Sequence, residues 1–119
     1  MAVRMLAGRG AASLDAIRST FDLSEAELGA LFSVTRQAVG HWRVHGIPPQ
    51  RSADVDRIAE LAEYLAREFV PERLAQIVRA RGRNRSDDLS GRSFLEVMRE
   101  DGVMPIYRHL ERLFAYTGS

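Results

Sequence analysis

The sequence predicts an all-α protein: an N-terminal helix-turn-helix bundle, a long amphipathic linking helix and a small C-terminal helical unit. Three observations carry this. Nowhere do β-branched and aromatic residues alternate at period two for more than a few positions, so no strand is predicted. Helix caps and stops recur along the whole chain. Apolar residues from Val55 to Phe69 return at three- and four-residue steps, the mark of one buried helical face.

The elements follow in order. Ser13 precedes Leu14 and Ile17 and opens a short first helix ending near Phe21. Ser24-Glu25-Ala26-Glu27 is a capping box, in which the serine accepts from the backbone N–H three residues on while Glu27 reaches back. It starts a second helix through Leu28, Leu31 and Phe32. Thr35 caps a third, with Ala38, Val39 and Trp42, closed by Gly46 and blocked by Pro48-Pro49. Ser52 starts the longest helix, whose Asp54 and Asp56 suit its positive N-terminal end. Pro71 fits the first turn of the next, through Leu74, Ile77 and Val78. Residues 81–90 read as a polar loop. Ser93-Phe94-Leu95-Glu96 is a second capping box, opening a helix stopped by Gly102. Pro105 begins the last, with Ile106, Leu110, Leu113 and Phe114 expected on one face. About seven helices result, divided into residues 1–50, 51–70 and 71–119.

Composition excludes several classes. The 119 residues, 45% hydrophobic and 28% charged, fit one compact domain or two very small ones and argue against wholesale disorder. The longest apolar run is Leu113-Phe114-Ala115-Tyr116, too short for a membrane span. Met5-Leu6-Ala7 is too short for a secretory signal. With no cysteine there is no disulfide framework, thiolate metal site or thiol nucleophile, and a cytoplasmic location is expected. No convergent nucleophile, base and orienting group falls at a motif spacing, so neither an enzyme nor a cofactor is expected. Gly8-Arg9-Gly10 follows no strand and cannot form a dinucleotide fingerprint. His41 and His45 have the spacing of a two-histidine metal site but lack a third ligand nearby, so no metal is expected.

Charge is informative by position rather than by total. The net charge is +1 and all 17 cations are arginine; a GC-rich genome would account for the absence of lysine without any functional cause. From Ser33 to Arg51 there are Arg36, Arg43, Arg51, His41 and His45 and no acid; from Arg73 to Arg85 there are five arginines and no acid. Two such segments on a near-neutral chain form an electrostatic footprint for an anion.

Residues 26–45 have the pattern of two short helices packed across each other. Gly29 and Ala30 are the small residues expected where they touch. Leu28, Val34 and Val39 have core spacing, and Trp42 closes the second helix. That helix is expected to present Thr35, Arg36, Gln37, Gly40, His41 and Arg43 outward, where it fits a major groove. Arginine pairs bidentately with guanine and glutamine with adenine, while Thr35 and the N–H groups of the helix start suit a phosphate. Double-stranded DNA is the expected partner, as a two-fold symmetric operator read by a homodimer. Arg79, Arg81, Arg83 and Arg85 suit either further phosphates or an acidic protein surface, with a solvated loop as the simplest alternative.

The run Glu27-Leu28-Gly29-Ala30-Leu31-Phe32-Ser33-Val34-Thr35-Arg36-Gln37-Ala38-Val39-Gly40-His41-Trp42 resembles the helix-turn-helix of the Xre and lambda-repressor class, with Ser33 where that class usually has its turn glycine. The likeness continues through the turn Gly46-Ile47-Pro48-Pro49-Gln50-Arg51, the long helix with Arg57, Leu61 and Leu65, and the segment Leu89-Ser90-Gly91-Arg92-Ser93-Phe94-Leu95-Glu96-Val97-Met98 with Asp101-Gly102. In layout the chain is similar to the Xre/MbcA/ParS antitoxins, and Phe94 stands where they commonly have proline. The resemblance implies a type II toxin-antitoxin pair, in which the C-terminal unit covers the active site of an NAD-consuming toxin. It places Gly91, Phe94, Gly102, Tyr116 and Gly118 at that contact. A stand-alone repressor whose C-terminal half only dimerises, and an adaptor that binds no DNA, are the alternatives. An exposed apolar patch on the last two helices points to a protein partner.

Overall fold

The computed structural model describes residues 2–81 and 88–116, and among these residues every regular element is helical. Seven helices follow in order: α1 (Ala2–Phe21), α2 (Glu25–Leu31), α3 (Arg36–His45), α4 (Pro49–Glu68), α5 (Pro71–Arg79), α6 (Phe94–Asp101) and α7 (Met104–Tyr116). No helix among the described residues is long and apolar enough to cross a membrane. Arg83, Arg85 and Gly118 lie outside the described residues, and Tyr116 is described only as the last residue of α7.

The chain divides into two compact units, residues 1–75 and 76–119, with the division inside α5. Residues 51–70, expected to link the two halves, fall within the first unit. Helix α4 lies within the first unit, packed along α1, which also packs against α3 and α2. The reason is its apolar face: Val55, Ile58, Leu61, Ala62 and Leu65 are buried, and a stripe this long is stable only against another helix. Leu14, Ile17 and Phe21 of α1, Leu28, Leu31 and Phe32 of the α2 region, and Val39 and Trp42 of α3 complete this core. Each such side chain contributes about 1.5–3 kcal/mol on burial.

Two boundaries differ from the sequence reading. Helix α1 begins at Ala2, well before Ser13, and Gly10 lies so close to Ile47 that an added Cβ would stand 2.9 Å from its Cδ1. Helix α4 begins at Pro49 rather than Ser52, with Pro48 as its cap and no side-chain capping bond. A proline in the first turn has a fixed φ suited to the helix and no N–H to leave unpaired.

In the second unit the core is Val78, Leu89, Phe94, Val97, Met98, Val103, Ile106 and Leu110. Its capping box forms as expected: Glu96 N–H donates to Ser93 Oγ at 3.1 Å, and Ser93 N–H donates to Glu96 Oε1 at 3.1 Å. That backbone donor, the Ser93 hydroxyl and the Arg81 guanidinium at 2.9 Å hold the Glu96 carboxyl below the ordinary range. The turn before it uses Ser90 (φ 56°) and Gly91 (φ 77°) in left-handed conformation. Arg92 secures this turn, donating to Leu89 O at 2.9 Å and pairing with Asp101 at 2.7 Å. Leu113 departs from the expected buried face of α7, being 43% exposed.

Candidate nucleic-acid interface

The site is built on a turn that only glycine allows. An ideal Cβ on Gly29 would stand 2.7 Å from the carbonyl oxygen of Val34 and 3.0 Å from the carbonyl carbon and oxygen of Thr35. Backbone cannot rotate aside as a side chain does, so α2 and α3 meet here at the limit of approach. The Gly29 carbonyl accepts from the N–H of Phe32 at 3.0 Å and of Val34 at 2.9 Å, closing the turn. Ala30, expected beside Gly29 in this contact, is exposed instead. Ser33 takes the left-handed position at φ 58°, the conformation for which glycine is the usual choice.

Helix α3 is then fixed at both ends. Thr35 Oγ1 accepts from Ala38 N–H at 3.1 Å, and the hydroxyl proton remains available to an external acceptor. At the other end Gly46 (φ 95°) donates its N–H to Trp42 O at 2.8 Å. Val39 and Trp42 anchor the inner face, Trp42 meeting Phe32 edge-on with ring centroids 6.0 Å apart. The capping box of α2 forms too, with Ser24 and Glu27 each accepting from the other's N–H at 3.0 Å.

The outward face is therefore Arg36, Gln37, Gly40, His41, Val44 and His45, with the two imidazole rings 4.4 Å apart. Arg36, Gln37 and His41 are exposed as expected, and Gly40 is half-buried with nothing within 4 Å of where its Cβ would be. Arg43 is not presented outward. Its guanidinium bonds to Asp15 of α1 and, at 2.7 Å, to Glu25 of α2, leaving the side chain 23% exposed. Burial works against its charge but is outweighed by these two carboxylates, which hold its pKa above the ordinary value. Arg18 joins the cluster at 3.3 Å from Glu25. Arg43 thus positions α3 against α1 and α2. Arg51, the third arginine of the acid-free segment, donates to the carbonyl of Phe32 at 3.0 Å, a cation on the C-terminal end of α2.

No family model, curated protein or solved structure matches the chain.

The remaining candidates are placed as follows. Arg81, its side chain 73% exposed, pairs with Glu96 at 2.9 Å, and Arg79 is the half-buried last residue of α5. Phe94 is a core residue, 6% exposed and edge-on to His109, rather than a contact surface. Gly91 and Gly102 (φ 85°) serve as turn and helix stop. Among the described residues no group of three or more His, Asp or Glu gathers at metal-holding spacing. The residue missed by sequence reasoning is Val44, 72% exposed on the same face as Gln37 and His41. Its signal was present in the helical repeat, which sets it one turn beyond Gly40.

Proposed function

We propose that the chain is a sequence-specific DNA-binding protein that reads the major groove with α3 and acts as a dimeric repressor. The supporting observation is the Gly29 turn, which holds α2 and α3 together while Arg36, Gln37 and His41 face solvent on a helix with no acidic residue. In a groove, Arg36 suits guanine and Gln37 suits adenine, each good bidentate pair supplying about 1–3 kcal/mol of discrimination. The Thr35 hydroxyl and the first-turn N–H groups, which lack intrahelical partners, suit a phosphate. Two copies on a two-fold symmetric operator would place their reading helices about one turn of duplex apart.

Duplexes selected from a random pool by the wild-type protein test this reading. Arg36→Ala and Gln37→Ala are each expected to lower the ratio of specific to non-specific affinity about tenfold or more, with unchanged thermal stability because both side chains are exposed. Competition binding that gives both variants the wild-type ratio would remove α3 as the reading element.

A second reading, toxin neutralisation by the C-terminal unit, rests on the likeness of residues 89–102 to the antitoxin pattern; the exposed Met104 and Leu113, nine residues apart on opposite sides of α7, form no common apolar patch in its favour. Purification from the native host tests it. One small unrelated protein, copurifying stoichiometrically and harmful when expressed alone, is the expected result; a preparation of this chain alone would leave the repressor.

A further inference from the structure

Two residues on α3 contradict the logic of folding in the isolated chain. A glycine inside a helix costs about 0.5–1 kcal/mol relative to alanine, and is usually retained where a side chain would collide. Gly40 sits mid-helix, and a Cβ there would meet nothing within 4 Å. Nothing in the protein calls for a glycine at this position. Val44, one turn on, is a large apolar side chain left 72% exposed. An apolar group on a helix face that packs against nothing loses the stabilisation that burial would supply.

The two anomalies share one line. The helical repeat of about 3.6 residues aligns Gln37, Gly40, His41 and Val44 along the helix. Val39 and Trp42, the buried residues of α3, point to the opposite side. The outermost strip of α3 thus has bare backbone at Gly40, between Gln37 and the apolar tip Val44, with the His41 ring at its edge beside that of His45. A bare stretch lets a surface approach the helix closely, and an apolar tip favours an apolar group on that surface. On the floor of a major groove the exposed apolar group is the C5-methyl of thymine.

We infer that Gly40 and Val44 form a thymine-reading strip, with Gly40 admitting the helix to the groove floor and Val44 packing on a thymine C5-methyl. The inference rests on the DNA-reading role of α3 and adds to it the base that the Val44 turn selects. It makes the preferred half-site thymine-containing, beside the bases read by Arg36 and Gln37.

Replacement of single thymines by deoxyuridine in the selected duplex removes only the methyl group and isolates this contact. For the wild-type protein, one deoxyuridine position per half-site is expected to lower affinity about three- to fivefold, the value of one buried methyl. Val44→Ala should bind the thymine and deoxyuridine duplexes alike at that position. Gly40→Ala should melt higher than the wild type yet bind the selected duplex at least tenfold more weakly, because its methyl group enters the space of closest approach. Deoxyuridine tolerated at every position, or an undiminished penalty in Val44→Ala, overturns the thymine strip while leaving DNA reading intact. If the wild-type protein enriches no duplex at all, DNA reading fails and the strip fails with it.

Discussion

Gly29→Val is expected to abolish the cooperative thermal transition of the N-terminal unit, at a cost above about 4 kcal/mol. The added Cβ alone would stand 2.7 Å from the Val34 carbonyl oxygen, and valine's two γ carbons extend further into the same space. Relief requires α2 and α3 to separate, which disrupts the bonds that Phe32 and Val34 donate to the Gly29 carbonyl. It also opens the core at Leu28 and Val39, both fully buried. That is a large fraction of the roughly 5–15 kcal/mol by which a domain is stable. Circular dichroism during heating measures it, with Gly40→Ala as a control on the adjacent helix where the added methyl meets nothing. A Gly29→Val variant melting within a few degrees of the wild type would mean that the two helices do not meet at this residue.

Trp42→Ala should cost about 3–5 kcal/mol, the ordinary range for truncating a large buried aromatic. Trp42 is 5% exposed and is the largest side chain holding α3 to the rest of its unit. Its loss removes the edge-on contact with Phe32 and leaves a cavity beneath the helix. The urea midpoint reports the loss directly, and the contrast with Arg36→Ala is informative because the two residues share one helix. Truncation of Arg36 removes an outward group and leaves the midpoint in place; truncation of Trp42 moves the midpoint, and would weaken the proposed DNA binding only through unfolding. A Trp42→Ala midpoint equal to that of the wild type would show that α3 is held by other contacts.

What was legible in the sequence is what depends on near neighbours. Ser24 with Glu27, Ser93 with Glu96, and Thr35 with Ala38 are bonds across three residues, so the starts of α2, α3 and α6 followed from short patterns. The stops at Gly46 and Gly102 were legible for the same reason, each glycine taking a positive φ. The start of α1 was not, since Gly8 and Gly10 interrupt its apolar repeat and its packing partner Ile47 lies far along the chain. Arg43 shows the same limit within the candidate site. On a helical projection it borders the outward face, and its partner Asp15 is 28 residues away. Only the packing of α1 against α3 turns that arginine inward. Ala30 and Gly29 were equivalent as small residues in sequence; the crossing of the helices gave the contact to Gly29 alone.

The inward turn of Arg43 also bears on how strongly one copy can hold an anionic partner. Of the three arginines in the acid-free segment, Arg43 is neutralised by two carboxylates and Arg51 has one arm on a backbone carbonyl, leaving Arg36 as the guanidinium most open to a phosphate. Few condensed counterions would then be released per copy, and their release is the main source of sequence-independent affinity for a duplex. On the proposed DNA-binding reading, such a module would gain its grip from avidity: two copies held together would raise the effective concentration of the second for its half-site. On that reading, the cluster that holds α3 against α1 and α2 would trade indiscriminate adhesion for dependence on a matched pair of sites.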